Sequence, residues 1–273
     1  MGITGQRTTG PREGEGECKE TQNGEDHRRR WTPTPGQDHR LAWRLRVGMI
    51  VWDPMKPDQD IAEQNGSLIA KSDARIADFL DQTCQLVRRL DRAAIARAQD
   101  LLLDCHRRGG RVFTAGNGGS SSTAQHFACD LAKFAVPPGQ RPFDARCLTD
   151  NISLYTAWAN DADRADVFVN LMRGLLRAGD VLIACSVHGG TGFSADLVRA
   201  VEFANEAGAS TISLVGFDGG ALHRLSTVSI LVPARSTPQV EAIHLVIEHL
   251  LMSLLKQALG GTLEESQIPS APP

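Results

Sequence analysis

Aliphatic residues are few in the first 48 positions, which are rich in Gly, Arg and Glu. Such a segment cannot bury enough surface to offset its ordering entropy. It reads as a solvated tail, despite the basic run Arg28, Arg29, Arg30, or as a segment ahead of a translation start at Met49 or Met55. Pro54 and Pro57 punctuate a linker. From Asp60 the period becomes helical. Ile69, Ile76, Phe79, Leu80, Cys84, Val87 and Leu90 recur at three- and four-residue spacing. Asp91 is a candidate N-cap for a second helix over 92–107, with Ile95, Ala98, Leu102 and Cys105 as its stripe and Gly109-Gly110 as its stop.

Short continuous apolar runs then alternate with helical patterns. Strands are predicted over 111–115, 145–148, 181–185, 210–215 and 228–232. Between them the spacing predicts the helix that carries His126, helices over 164–177 and 195–207, and a short helix after Asp218-Gly219-Gly220. A last long helix starts at Thr237-Pro238, with Val240, Ile243, Ile247, Leu250, Leu254 and Ala258 as its stripe. This order predicts an α/β fold: a parallel sheet of about five strands flanked by helices on both faces, with N-terminal helices and a long C-terminal one. The domain spans 59–260, between the 1–58 tail and a loose 261–273 tail.

Composition narrows the class. The chain has 273 residues, 41% of them hydrophobic, and a net charge of −3, which gives no case for nucleic-acid binding by bulk charge. No apolar run approaches the ~18 residues of a membrane span, and no signal-peptide h-region is visible. The six cysteines form no C-x-x-C pair and read as reduced thiols in a cytoplasmic protein.

Two loops carry the chemistry. After the first strand comes Gly116-Asn117-Gly118-Gly119 and then Ser120, Ser121, Ser122 at a helix start. Glycines permit close approach to the backbone, and the free N–H groups of a helix start favour an anion such as a phosphate. His126 and Asp130, at i and i+4, put an imidazole and a carboxylate on one helix face. The second loop, Ser186-Val187-His188-Gly189-Gly190-Thr191-Gly192, follows the central strand. Ligands of parallel sheets bind beyond the strands' carboxyl ends, where both loops lie.

Gly116-Asn117-Gly118-Gly119-Ser120, followed by Ala124-Gln125-His126-Phe127, resembles the sugar-isomerase (SIS) domain of phosphoheptose isomerases. The likeness continues through Asp150, Asn160-Asp161, Gly179-Asp180, Ser186, Asp218-Gly219-Gly220 and the helix from Thr237 to His249. It implies a three-layer SIS fold and a homotetramer with active sites between subunits. It also implies isomerisation of sedoheptulose 7-phosphate to D-glycero-D-manno-heptose 7-phosphate, feeding nucleotide-activated heptose. Carried over by position, the family's zinc ligands become His126, Asp130, Glu241 and His249, with Asp for the usual Glu and Glu for the usual Gln. Glu241 and His249 lie within about 80° of each other around a helix, so both can face one site. Asp130 or Glu241 is the expected base, and His249 the complementary acid/base. Asn117, Gly118, Gly119, Ser120, Ser186 and Thr191 are expected to hold phosphate and sugar hydroxyls, with Asn160 and Asp161 binding further hydroxyls. His188 is a candidate for a charge-assisted bond to phosphate. His244 and Glu248 match no family ligand and read as solvent or interface residues. The second loop departs from the family's serine-rich run, which keeps two alternatives open: an isomerase or epimerase for another sugar phosphate, and a non-catalytic sugar-phosphate sensor or adaptor.

Overall fold

A computed structural model describes residues 59–262. The expected tail and linker over 1–58, and nearly all of the expected loose tail over 261–273, lie outside the described residues, as does the side chain of Ile69. Two helices, α1 (Gln59–Arg88) and α2 (Arg92–Arg108), precede the first strand, β1 (Arg111–Gly116). Then come α3 (Gly119–Lys133), β2 (Asp144–Cys147), α4 (Ile152–Asp161), a 3-10 turn (Arg164–Asp166) and α5 (Val167–Met172). The chain continues through β3 (Val181–Ser186), α6 (Ala195–Glu206), β4 (Ser210–Val215), α7 (Gly220–Leu225) and β5 (Val228–Leu231) to α8 (Thr237–Ala258).

The five strands form one parallel sheet in the order β2-β1-β3-β4-β5. Successive side chains of a strand point to opposite faces, and the central strands divide the core accordingly. Val181, Ile183 and Cys185 of β3 join α2, α3 and α8 on one face. Leu182 and Ala184 join α5 and α6 on the other. All six residues of β3 are buried, which is why it reads as one uninterrupted apolar run. Asp91 caps α2 by accepting from the Ala93 and Ala94 N–H groups, and Gly109 ends it in the left-handed conformation.

Three expectations change. The predicted helix over 164–177 is a 3-10 turn and then α5, which stops at Met172 before Gly174 at φ +80°. Asn160 and Asp161 end α4, an unanticipated helix capped by Asn151 with no fully buried side chain. Of the α1 stripe, Val87 packs against the core, while Ile76, Phe79 and Leu80 are exposed. Among the described residues, no helix is long and apolar enough to cross a membrane.

Topology sets the site. The chain leaves β1 through α3 on one face and β3 through α6 on the other, so the loops after these neighbouring strands part and open a crevice. The opposite end of the strands is pinned by Asp180, which is buried and accepts the N–H groups of Arg111 and Arg177, each at 2.8 Å. Asp180→Ala leaves both donors without a partner. A loss of about 1–3 kcal/mol is expected, with a smaller one for Asp180→Asn, read as a lower urea midpoint at unchanged slope.

Candidate functional site

The crevice has a volume of about 340 Å³ and is walled by Asn117, Gly118, Gly119 and Ser120 from the first loop and Ser186, Val187 and His188 from the second. Ser194, Thr237 and Glu241 complete its rim, and Cys185 lies in its wall. Burial, with lesser contributions from the neighbouring Cys147 and Glu248, pushes the Cys185 thiol up to about 12, so it contributes no thiolate near neutral pH.

Local sequence explains each position. Gly118 has φ +55° and ψ −126°, a conformation open chiefly to glycine, and it turns the chain from β1 into α3. A Cβ on Gly119 would lie 2.5 Å from the Glu241 Oε1, so the missing side chain is what admits that carboxylate. Asn117 is fixed by Asp196, whose two oxygens each accept from its amide at 3.0 Å. Ser194, a non-glycine residue at φ +55°, precedes α6 at the rim, and Phe217, also at φ +55°, packs its ring 4.4 Å from that of His188. Backbone strain of this kind concentrates around binding sites.

The expected ligand-contacting residues divide. Asn117, Gly118, Gly119, Ser120, Ser186, His188 and Glu241 share the crevice. Thr191 is exposed and lines a neighbouring cavity of about 150 Å³ with His188, Phe217, Asp218 and Arg235. Asn160 and Asp161 are exposed at the end of α4, joined by a 2.7 Å hydrogen bond from the Asn160 amide.

Two turns further along α3 a second constellation forms. His126 Nε2 lies 3.6 Å from Asp130 Oδ2, and His249 Nε2 lies 4.0 Å from the same oxygen. The two imidazoles meet edge to face at 4.9 Å. The fourth member is Glu248, with Oε2 at 3.4 Å from His249 Nε2. One donor atom from each of the four falls within 4.8 Å of every other. These separations approach the edge of a tetrahedron with metal–ligand bonds of about 2.0–2.1 Å, roughly 3.3 Å. The group can therefore hold a divalent metal. Glu241, expected among these ligands, instead stands against Gly119 in the crevice.

His244 and Glu248 are fully buried, which corrects their reading as solvent or interface residues. Both occupy the inward stripe of α8, alongside the buried Val240, Ile243, Ile247 and Leu251. A charge inside an apolar stripe was the available signal for Glu248. Burial pushes the His244 imidazole down to about 4, so it is neutral near pH 7. Burial first, then the adjacent Asp130 carboxylate, pushes Glu248 up to about 8 in the metal-free protein. Asp196, buried beside Asn117, was likewise missed; no pattern around it marks it in the sequence.

Residues 77–216 match the SIS domain family. A lincomycin biosynthesis protein of Streptomyces lincolnensis is 36% identical over 220 residues, covering 73% of this chain and 80% of the relative. The phosphoheptose isomerase of Rhodospirillum rubrum is 37% identical over 166 residues, covering 61% of this chain and 86% of that one. Among solved structures, phosphoheptose isomerase from Neisseria gonorrhoeae superposes with a TM-score of 0.61 at 30% identity, covering 69% of this chain and 98% of that chain. That of Francisella tularensis gives 0.63 at 26% identity, covering 68% and 98%.

The buried acid has a measurable consequence. Glu248 binds a proton more tightly when folded than its ordinary value of 4.5 allows when unfolded. Folding therefore takes up a proton between the two values, and its contribution to stability declines as pH rises from about 4.5 to about 8. In excess chelator, Glu248→Gln is expected to be more stable than wild type at pH 8.5, with the difference shrinking toward pH 5. Urea titrations across that range measure it.

Proposed function

We propose, from the premise that this chain belongs to the phosphoheptose isomerase family of SIS-domain proteins, that it converts sedoheptulose 7-phosphate to D-glycero-D-manno-heptose 7-phosphate. The protein is a sugar-phosphate isomerase; the heptose identity, the metal and the residue roles are the proposal. The observation that carries it is the pairing of an anion-binding crevice with a His126, Asp130, Glu248, His249 cluster on the same two helices.

The chemistry takes a proton from C1 of the ketose, passes through an enediol and returns a proton to C2, while the oxygens exchange a proton. It needs a carbon base, an acid/base for the oxygens and a grip on the distant phosphate. The N–H groups at the start of α3, with the Ser120 and Ser186 hydroxyls, hold the phosphate end. Asn117, oriented by Asp196, holds a sugar hydroxyl. Thr191 and His188 extend the grip along the second loop, and Asn160 with Asp161 binds further hydroxyls from the edge of the site. The base is a carboxylate, Asp130 or Glu241, and His249 moves the proton between the oxygens.

The donor set fits zinc, one per subunit, with His126, Asp130 and His249 holding it; the buried, unpartnered oxygens of Glu248 mark a place for positive charge. A zinc ion held there would supply Lewis-acid polarisation of the sugar carbonyl. Ile76, Phe79 and Leu80, exposed on α1, supply an apolar face for a subunit contact in a homotetramer. Free cysteines and the absence of a membrane-spanning helix among the described residues are consistent with a cytoplasmic enzyme.

A second reading, another sugar phosphate as substrate, is favoured by the position of Thr191 outside the crevice. Purified protein is expected to isomerise sedoheptulose 7-phosphate in a zinc-dependent manner, and His249→Ala to lower kcat by about 10²–10⁴-fold with the fold intact. Absence of turnover in a folded protein that still binds the sugar phosphate supports the second reading instead.

A further inference from the structure

The crevice has no strong cation of its own. No Lys or Arg stands among the residues that wall it, and its one carboxylate is that of Glu241. A phosphate monoester carries about −1.5 to −2 charges near pH 7. Backbone N–H groups and hydroxyls can hold such a group, but a full counter-charge has to come from beside the crevice.

Two arginines stand there. Arg164 lines a cavity of about 400 Å³ that meets the crevice at Asn117 and Ser194. Arg235 lines the smaller cavity, of about 150 Å³, that meets the crevice at His188. Neither forms an ion pair with a described carboxylate, whereas Arg107, Arg111, Arg146 and Arg199 do. Their surroundings separate them. Beside Arg164 the polar groups satisfy one another: the Asn117 amide donates to both oxygens of the buried Asp196, which also accepts the Leu197 N–H at 2.8 Å. Beside Arg235 stand the His188 ring and the Thr191 hydroxyl, neither of them engaged by a described side chain through a hydrogen bond. Asp218, the acid of this cavity, accepts the Gly220 N–H at 3.1 Å and is not paired with the guanidinium.

Backbone pairing past the strand ends brings these groups together. The Gly216 N–H donates to the Val187 carbonyl at 3.0 Å, and the Phe217 N–H to the Ala234 carbonyl at 2.9 Å. The loops after β3, β4 and β5 are thereby laced side by side, and His188, Asp218 and Arg235 each stand one residue past a laced position. A side chain on Gly189 would run into the Gly219 carbonyl, so the close docking of the second loop on the turn after β4 requires glycine there. The His188 ring is set between those of Phe217, at 4.4 Å, and Phe193, at 5.3 Å. The space enclosed holds about five waters at roughly 30 Å³ each, enough for an oxyanion.

We infer that Arg235 is a phosphate-binding residue: the phosphate of the sugar lies where the crevice meets the smaller cavity, beside His188 and Thr191, and takes its counter-charge from the Arg235 guanidinium. This rests on the reading above that the chain binds a sugar phosphate. It gives Thr191 a place in the phosphate seat although it lies outside the crevice. A guanidinium presents parallel N–H donors to a phosphate, which a Lys ammonium does not.

Binding of sedoheptulose 7-phosphate and of inorganic phosphate to the full chain, with steady-state kinetics beside it, tests the assignment. Arg235→Gln is expected to raise the Kd for both, and KM for the sugar phosphate, by about 10–100-fold through loss of charge-assisted hydrogen bonds. Its kcat is expected to stay near wild type, because a grip on a distant phosphate that is equal in ground and transition states appears in KM. Arg235→Lys keeps the charge without the planar fork and is expected to recover part of the affinity. Arg164→Gln is expected to match wild type. Wild-type affinity in Arg235→Gln, a fall in its kcat with KM unchanged, or the affinity loss falling on Arg164→Gln instead overturns the assignment and leaves the isomerase reading intact. Phosphate binding with this Arg235 dependence in a chain that does not turn over the heptose supports the assignment and removes only the substrate. A wild-type chain that binds neither phosphate overturns both.

Discussion

The parallel seating of α8 against α3 is the constraint on which the site depends. At the start of the pair, the missing side chain of Gly119 lets the Glu241 carboxylate approach the backbone. Two turns on, the same alignment brings His126 and Asp130 to His249 and Glu248. The buried Phe127 and Leu131 of α3, with Ile243, Ile247 and Leu251 of α8, share one apolar cluster with the underside of the sheet. Burial of these side chains, each favouring the folded state by about 1.5–3 kcal/mol, fixes the helix spacing before any ligand arrives. Thr114 adds a tether from β1, its hydroxyl donating to the Ala124 carbonyl at 2.7 Å.

That seating sets two demands against each other. The apolar face of α8 stabilises the fold, yet it includes an imidazole and a carboxylate that make no hydrogen bond. Each such group costs about 1–3 kcal/mol or more when left unsatisfied. A fold optimised for stability alone would place Leu or Met at these positions. Polar groups that persist against this penalty are most simply understood as groups held ready for a charge or a proton. Glu248 sits beside two imidazoles and a carboxylate and has such a role within reach; nothing in the structure explains His244 in the same way.

Much of the fold was legible because its strands are extreme. β3 and β4 are buried on both faces, so they appear as unbroken apolar runs between glycine turns. The first loop and the His126–Asp130 spacing were legible for the same reason: glycine, hydroxyl and imidazole occur together where a helix begins. α4 was not, because it fully buries no side chain, and its exposed Ile152 and Leu154 give no amphipathic period. The region 164–177 misled in the opposite direction. Its apolar spacing continues, but the backbone turns at Arg173 and Gly174, and the spacing is met by α5 and the loop after it.

The cluster of His126, Asp130, Glu248 and His249 shows where helical geometry alone stops. The angular argument for Glu241 and His249 is sound: an eight-residue separation leaves both on one side of α8. It ignores the axial distance, about 12 Å, and the lean of side chains toward the N-terminus. Glu248 satisfies both, being adjacent to His249 along the axis and turned inward by the same stripe that buries Ile247 and Leu251. In sequence, its charge made it look like a surface residue; in the fold, its position on the stripe decides.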